Sequence, residues 1–93
     1  MMRVTVEFGW SVENGPSYSA YRHIEDPSFV PRPGDLFELY FEGLTVEVET
    51  RTLTSNGSAT VRLKDLSFTD DKADDLLQAL ETETGWVVER YSG

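Results

Sequence analysis

The sequence contains no cysteine and only one histidine among its 93 residues. The absence of cysteine excludes a disulfide framework, a thiol nucleophile and thiolate metal sites. The single histidine, His23, excludes the usual multi-histidine zinc sites. It lies beside Glu25 and Asp26, but catalytic triads are assembled in space rather than by neighbouring sequence, so we interpret it as a structural or surface histidine. With no glycine-rich phosphate loop and no G-x-S-x-G motif, we expect no enzyme, no cofactor and no metal.

Basic residues are also scarce, since eight lysines and arginines stand against seventeen acids and give a net charge of −9. A negative field repels phosphate, so we expect no direct binding to nucleic acid or to an anionic membrane, and a basic partner is favoured. No apolar run approaches the ~20 residues of a membrane span, and the N-terminal residues lack the apolar segment of a signal peptide. We therefore expect a soluble, cytoplasmic protein that forms one domain over residues 1–93.

Alternation of apolar and polar residues predicts five strands in the first two thirds of the chain. In the first of them every even-numbered position is apolar, from Met2 to Trp10. A proline-rich connection that ends at Gly34 separates the second strand from the third, because proline cannot continue a hydrogen-bonded ladder. The expected strands cover residues 2–10, 18–24, 35–42, 44–54 and 58–66. The last three are expected to form an antiparallel meander with residues 44–54 in the middle.

A two-residue loop at Glu42-Gly43 sets the expected register of the first hairpin of the meander. It places Phe37 opposite Val48 on the inner face, together with the other apolar pairs. It also places Glu38 opposite Glu47 on the outer face, which is mildly destabilising.

Asn56-Gly57 is the strongest short hairpin signal in the chain. As a two-residue loop it places Glu49 opposite Lys64 and Arg51 opposite Arg62 on the outer face. The inner positions of the middle strand then become threonines, and the core is expected to thin at residues 50, 52 and 54.

The hydrophobic period changes near Asp70, where apolar residues begin to recur at helical spacing. This pattern predicts an amphipathic helix that extends to Thr84, with an apolar stripe of Ala73, Leu76, Leu77 and Leu80. Thr69 is expected as its N-cap and Gly85 as its C-terminal stop, and residues 86–91 form a last strand. The predicted order is β-β-β-β-β-α-β. The fold class is α+β, with a curled, mostly antiparallel sheet and one C-terminal helix.

Residues 30–35 read Val-Pro-Arg-Pro-Gly-Asp and precede a short alternating hairpin and then an Asn-Gly hairpin. This arrangement, over residues 2–66, resembles a group of small curled β-barrel domains of bacteria and their phages, in which a VPRxGD turn leads into the central hairpins. The resemblance implies a barrel-like fold and carries little information about function.

The expected outer face of the meander carries acids around a large amphipathic ring, Tyr40. Tyrosine on a polar surface is a frequent interface anchor, although a helix or strand could also cover it. A second acidic group stands on the predicted helix, where acids in the first turn favour the helix dipole. The candidate partner-binding residues are Glu38, Tyr40, Glu42, Glu47 and Glu49 on the sheet, and Asp70, Asp71, Asp74 and Asp75 on the helix.

Two functions of the non-enzymatic, protein-binding kind remain open from the sequence. The first is an acidic phage-type inhibitor of the anti-CRISPR or anti-restriction class. It would occupy a basic, nucleic-acid-binding protein by mimicry, because alternate strand positions space carboxylates about 6.6–7 Å apart, like a phosphate track. The alternative is a small structural or adaptor module, such as a phage assembly component. It would bind through a sheet edge or the Tyr40 face, and its charge would serve solubility.

Overall fold

A computed structural model describes residues 3–26, 30–38, 45–69, 72–82 and 85–91. Within these ranges the chain forms one helix and seven strands. In chain order the elements are β1 (Arg3–Val12), β2 (Ser17–Glu25), β3 (Leu36–Glu38), β4 (Thr45–Leu53), β5 (Ala59–Leu63), β6 (Leu66–Phe68), α1 (Lys72–Thr82) and β7 (Trp86–Tyr91). The expected α+β class is confirmed, and the expected strand over residues 58–66 is divided into β5 and β6.

The strands form one mixed, mostly antiparallel and open sheet in the order β3-β4-β5-β1-β2-β7. Strand β1 lies inside this sheet and pairs antiparallel with β2 along one side. On its other side β1 pairs in parallel with β5 and, further along, with β6. Strand β7 pairs antiparallel with β2 and ends the strand order.

The inner face of the sheet carries the hydrophobic core, and its centre is β1. The even-numbered side chains of β1 from Val4 to Trp10 are buried, as the alternation of the sequence predicts. Three aromatic rings stack in a row: Phe8 on Trp10 at 5.2 Å and Trp10 on Tyr18 at 5.1 Å between centroids. Trp86 meets Phe8 edge-on at 5.8 Å, so both tryptophans belong to the core.

Helix α1 covers part of this core with its apolar stripe. Ala73, Leu76 and Leu80 are buried and Leu77 is half-buried, which confirms the expected helix. The indole N–H of Trp10 donates to the carbonyl of Ala73 at 3.3 Å, so β1 and the first turn of α1 are joined by a buried hydrogen bond. Gly85, at φ 104°, adopts the left-handed conformation that suits the residue ending a helix segment.

The first hairpin, β3–β4, has a register two residues away from the expected one. Phe37 pairs with Val46 rather than Val48, and Glu38 pairs with Thr45 rather than Glu47. A shift of two residues leaves every side chain on its expected face, because side chains alternate with a period of two. The pairing starts from the Arg32–Asp35 turn, in which Asp35 N–H donates to the Arg32 carbonyl at 3.0 Å. The Glu42-Gly43 turn lies outside the described residues.

The second hairpin, β4–β5, has a loop one residue longer than expected. Thr54 N–H donates to the carbonyl of Ser58 at 2.9 Å, which leaves three residues in the loop. Gly57 adopts φ 88°, as a three-residue hairpin loop requires. The pairings expected for this hairpin are therefore wrong: Arg51 lies opposite Val61 and Arg62 lies opposite Thr50.

An irregularity between Val48 and Thr50 reconciles this register with the buried half of β4. Val48 is buried opposite Leu63, whereas every residue from Glu49 to Leu53 is exposed. The core therefore thins where the sequence predicts. The expected reason is wrong, because the bulge places Arg51 and Leu53, not the threonines, opposite the buried side chains of β5.

Candidate functional site

The structure describes five of the nine predicted partner-binding residues. Glu38 and Glu49 on the sheet and Asp74 and Asp75 on the helix are exposed. None of these four is in an ion pair with another described residue. The fifth, Glu47, is half-buried and paired. The other four lie outside the described residues: Tyr40, Glu42, Asp70 and Asp71.

Glu47 is joined to Lys64 on β5, with 2.6 Å between the carboxylate oxygen and the ammonium nitrogen. This hydrogen bond and the charge of Glu47 raise the pKa of Lys64 above its ordinary value of 10.5, and the nearby charge of Glu49 adds to the rise. The positive charge of Lys64 makes the electrostatic potential around Glu47 less negative. Of the three predicted sheet glutamates that the structure describes, Glu47 is therefore partly neutralised, whereas Glu38 and Glu49 are exposed.

A second group of paired charges lies where β5 ends beside β1. The side-chain oxygen of Asp65 accepts from the backbone N–H of Gly9 at 3.0 Å and from the Arg62 guanidinium at 3.0 Å. Arg62 also lies 3.7 Å from a carboxylate oxygen of Glu7. Asp65 stands between β5 and β6, so its side chain takes the place of a ladder partner for Gly9 where the strand is interrupted.

The row of paired side chains continues from β1 to β2. Arg3 and Glu25 form an ion pair at 2.7 Å, and Thr5 shares a hydrogen bond of 2.8 Å with Nδ1 of His23. The His23 ring also lies against Tyr21, with 5.3 Å between ring centroids. His23 is thus an exposed residue on the outer surface of the sheet. In the middle of the outer face, over β5, β1 and β2, most of the charged and polar side chains are therefore paired with other groups of the chain.

Strand β7 differs from this middle region. Its odd-numbered residues lie opposite Ser17, Ser19 and Tyr21 of β2 and so share the outer face. Val87 and Tyr91 are 43% and 50% exposed. No further strand pairs with β7 among the described residues. A free edge with exposed apolar side chains is a template for pairing with another chain.

The sequence predicts the strand at residues 86–91 but does not reveal this edge. Whether a strand lies inside a sheet or at its end depends on pairings between distant residues, here between β7 and β2. The available signal is the spacing of Val87 and Tyr91, which puts both on one face of the strand with only Glu89 between them.

A cleft of about 410 Å³ lies at the start of α1, between the β1–β2 turn and β7. The Tyr18 hydroxyl donates to Asp74 at 3.5 Å, and the Arg90 guanidinium lies 5.9 Å from the centroid of the Tyr18 ring. Asp74 is thus part of a polar rim around an aromatic floor. Val12, Pro16 and Leu77 supply the apolar wall.

Among the described residues, no group of three or more histidine, aspartate or glutamate side chains is placed to hold a metal ion. In the same part of the chain no buried side-chain nitrogen or oxygen lacks a hydrogen-bond partner. The one described helix has eleven residues, and it is neither long nor apolar enough to span a membrane.

No protein-family model, no curated protein and no solved structure matches this chain. The resemblance of residues 2–66 to small β-barrel domains therefore stays a prediction.

Proposed function

We propose that the chain is a non-enzymatic protein-binding domain that attaches to its partner through the free edge of β7. The observation that carries this proposal is the pair of exposed side chains, Val87 and Tyr91, on one face of a strand that ends the sheet. An added strand gains affinity from main-chain hydrogen bonds and specificity from its alternate side chains. In this role the chain is a structural or adaptor module, and its net charge serves solubility.

The rest of the outer face supports the choice of β7. Over β1 and its neighbours the charged side chains are already joined in pairs, such as Lys64 with Glu47 and Arg3 with Glu25. A partner docking there must compete with these contacts. On β7 the exposed surface of Val87 and Tyr91 is apolar, so covering it is favourable at roughly 25 cal/mol per Å² removed from water.

The second candidate is the acidic inhibitor that occupies a basic, nucleic-acid-binding protein. The observation that favours it is the exposure of Asp74 and Asp75 on α1, which has no basic residue in its last turn. Glu38 and Glu49 add exposed acids on the hairpin β3–β4. Because Lys64 pairs with Glu47, the helix carries more of the mimicry in this hypothesis than the sheet does.

Affinity capture from a nuclease-treated bacterial lysate, at low and moderate salt, separates the two candidates. The edge variant carries Val87→Lys and Tyr91→Lys, and the helix variant carries Asp74→Lys and Asp75→Lys. Leu53→Lys is the matched control, because Leu53 is another exposed apolar residue, 60% exposed, on a strand distant from β7.

The adaptor proposal predicts a partner that is retained at moderate salt and lost only by the edge variant. Loss only in the helix variant, with release of a nucleic-acid-binding protein by salt, would support the inhibitor instead. A partner that all three variants retain equally contradicts both candidates.

A further inference from the structure

We propose that the occupant of the β7 edge is the β7 strand of a second copy of this chain, in an antiparallel two-fold pairing centred on Glu89. This inference depends on the proposed function of the edge and names its partner. Two observations support it: the sequence of the strand, Trp-Val-Val-Glu-Arg-Tyr, and the face of the sheet on which each of these residues lies.

Symmetry limits the possible registers of such a pair. An antiparallel dimer formed by two identical edge strands has its two-fold axis perpendicular to the sheet, so the outer faces of both copies lie on the same side. Residues directly opposite each other must then share a face. The odd-numbered residues of β7 face outward with Ser17, Ser19 and Tyr21. An odd-numbered residue of one copy therefore meets an odd-numbered residue of the other.

Two registers satisfy this rule and pair five residues of each β7 strand. Centred on Glu89, the strands place Val87 of each copy opposite Tyr91 of the other. Centred on Val88, they place Val87 opposite Glu89 instead. Only the first register brings together the two exposed apolar side chains of this strand, and aromatic and β-branched residues form favourable cross-strand pairs. The geometry thus points to the register centred on Glu89.

Two hydrogen bonds within the chain hold the Tyr91 side chain in place before a second strand pairs with β7. Its hydroxyl donates to a carboxylate oxygen of Glu89 at 2.6 Å and accepts from the Ser19 hydroxyl at 3.4 Å. A ring held in this way loses less conformational freedom when a second strand covers it, since an interface must offset the cost of ordering each side chain.

The same register sets a limit on the affinity. Two Glu89 carboxylates meet at the axis, and like charges directly opposite one another are destabilising. A pairing of about five residues per strand also falls at or below the small end of specific interfaces, about 1,200 Å² in total. We therefore expect a weak dimer, with a dissociation constant between about 10 µM and about 1 mM.

Sedimentation equilibrium over that concentration range tests the dimer with the whole chain. The wild type is expected to associate, and the Val87→Lys and Tyr91→Lys double variant to lose at least tenfold in association, because it places introduced cations opposite each other. Glu89→Gln is expected to associate up to about fivefold more tightly, since it removes the charge repulsion at the axis. Leu53→Lys, exposed and outside β7, is expected to match the wild type.

Disulfide trapping tests the register, and the absence of native cysteine makes each introduced thiol unique. Directly opposed strand residues have Cα atoms about 4.5–5.5 Å apart, within the range a disulfide spans. Glu89→Cys is therefore expected to form covalent dimers under mild oxidation. In the same register residue 88 of one copy lies opposite residue 90 of the other, two positions away from its own counterpart. Val88→Cys is therefore expected to form few covalent dimers.

Each outcome decides a separate point. A wild type that stays monomeric to about 1 mM overturns the self-pairing, as does association that the double lysine variant retains. Preferential trapping of Val88→Cys overturns the register. If the wild type is monomeric but the same double variant loses a foreign partner in the capture experiment, self-pairing is wrong and the proposed function of the edge stands.

Discussion

Strands β1 and β7 both pair with β2, yet the side chains on their outer faces have different surroundings. Along β1 four of the five outer positions contact a side chain elsewhere in the chain. Arg3 pairs with Glu25, Thr5 with His23 and Glu7 with Arg62, and the backbone N–H of Gly9 donates to Asp65. Along β7 the outer positions present Val87 and Tyr91 to solvent. The difference follows from position in the sheet. Strand β1 has neighbours on both sides, whereas within the described part of the chain β7 has a neighbour only on the β2 side. In this sheet the outer side chains of β1 contribute to stability, whereas Val87 and Tyr91 of β7 remain partly exposed.

The largest expected contrast between the two strands concerns stability. Phe8→Ala is expected to lower the free energy of unfolding by about 3–5 kcal/mol, because it empties a buried ring position between two tryptophans. Val87→Ala, on the exposed face of β7, is expected to change it by no more than about 0.5 kcal/mol. Urea unfolding followed by tryptophan fluorescence measures both, since both variants keep Trp10 and Trp86. Equal losses in the two variants would contradict the contrast.

A smaller effect is expected where the ladder beside β1 is interrupted. Asp65→Ala is expected to lower the free energy of unfolding by about 1 kcal/mol, because Gly9 N–H and Arg62 lose their acceptor at an exposed site. Asp65→Asn keeps an oxygen for Gly9 and removes the charge that faces Arg62. Urea unfolding of the two variants is therefore expected to show a smaller loss for asparagine. An asparagine variant as unstable as alanine would mean that the ion pair with Arg62 carries the effect.

The smallest effect is expected at Lys64, where contact with Glu47 raises the pKa of the amine. The pKa is raised in the folded state, so this pair stabilises the fold below pH 10.5 and the contribution disappears as the pH rises through the folded pKa. NMR titration of the Lys64 side chain is expected to show a pKa above 10.5 in the wild type. In a Glu47→Gln variant it is expected to fall back towards that value. An unchanged pKa in the variant would mean that the contact does not form in solution.

Local patterns in the sequence predict much of this fold. The alternation in β1 and the helical spacing of Ala73, Leu76 and Leu80 depend on residues close in the chain, and the structure confirms them. The parallel pairing of β1 with β5 joins residues more than fifty positions apart, as Val4 with Ala59. No local pattern specifies such a pairing.

The registers of the hairpins show a finer limit. Asn56-Gly57 predicts a turn correctly, but one additional loop residue reverses the face of residues 50–53 of β4, up to the irregularity at Val48. This residue removes the expected Arg51–Arg62 pair. Together with the irregularity between Val48 and Thr50 it brings Lys64 to Glu47 rather than to Glu49. The expected acidic surface is changed for the same reason. Exposure alone is predictable for Asp74 and Asp75, whereas ion pairing depends on the register.

The central proposal, that the edge of β7 pairs with the β7 strand of a second copy, has a direct test in amide NMR spectra of the wild type recorded over a dilution series. The account predicts concentration-dependent shifts for the amides of residues 86–91, with those of β1 unchanged. Such a result would place the association at the edge strand. Spectra that do not change up to about 1 mM, or shifts confined to α1 or to the hairpin β3–β4, would contradict the claim.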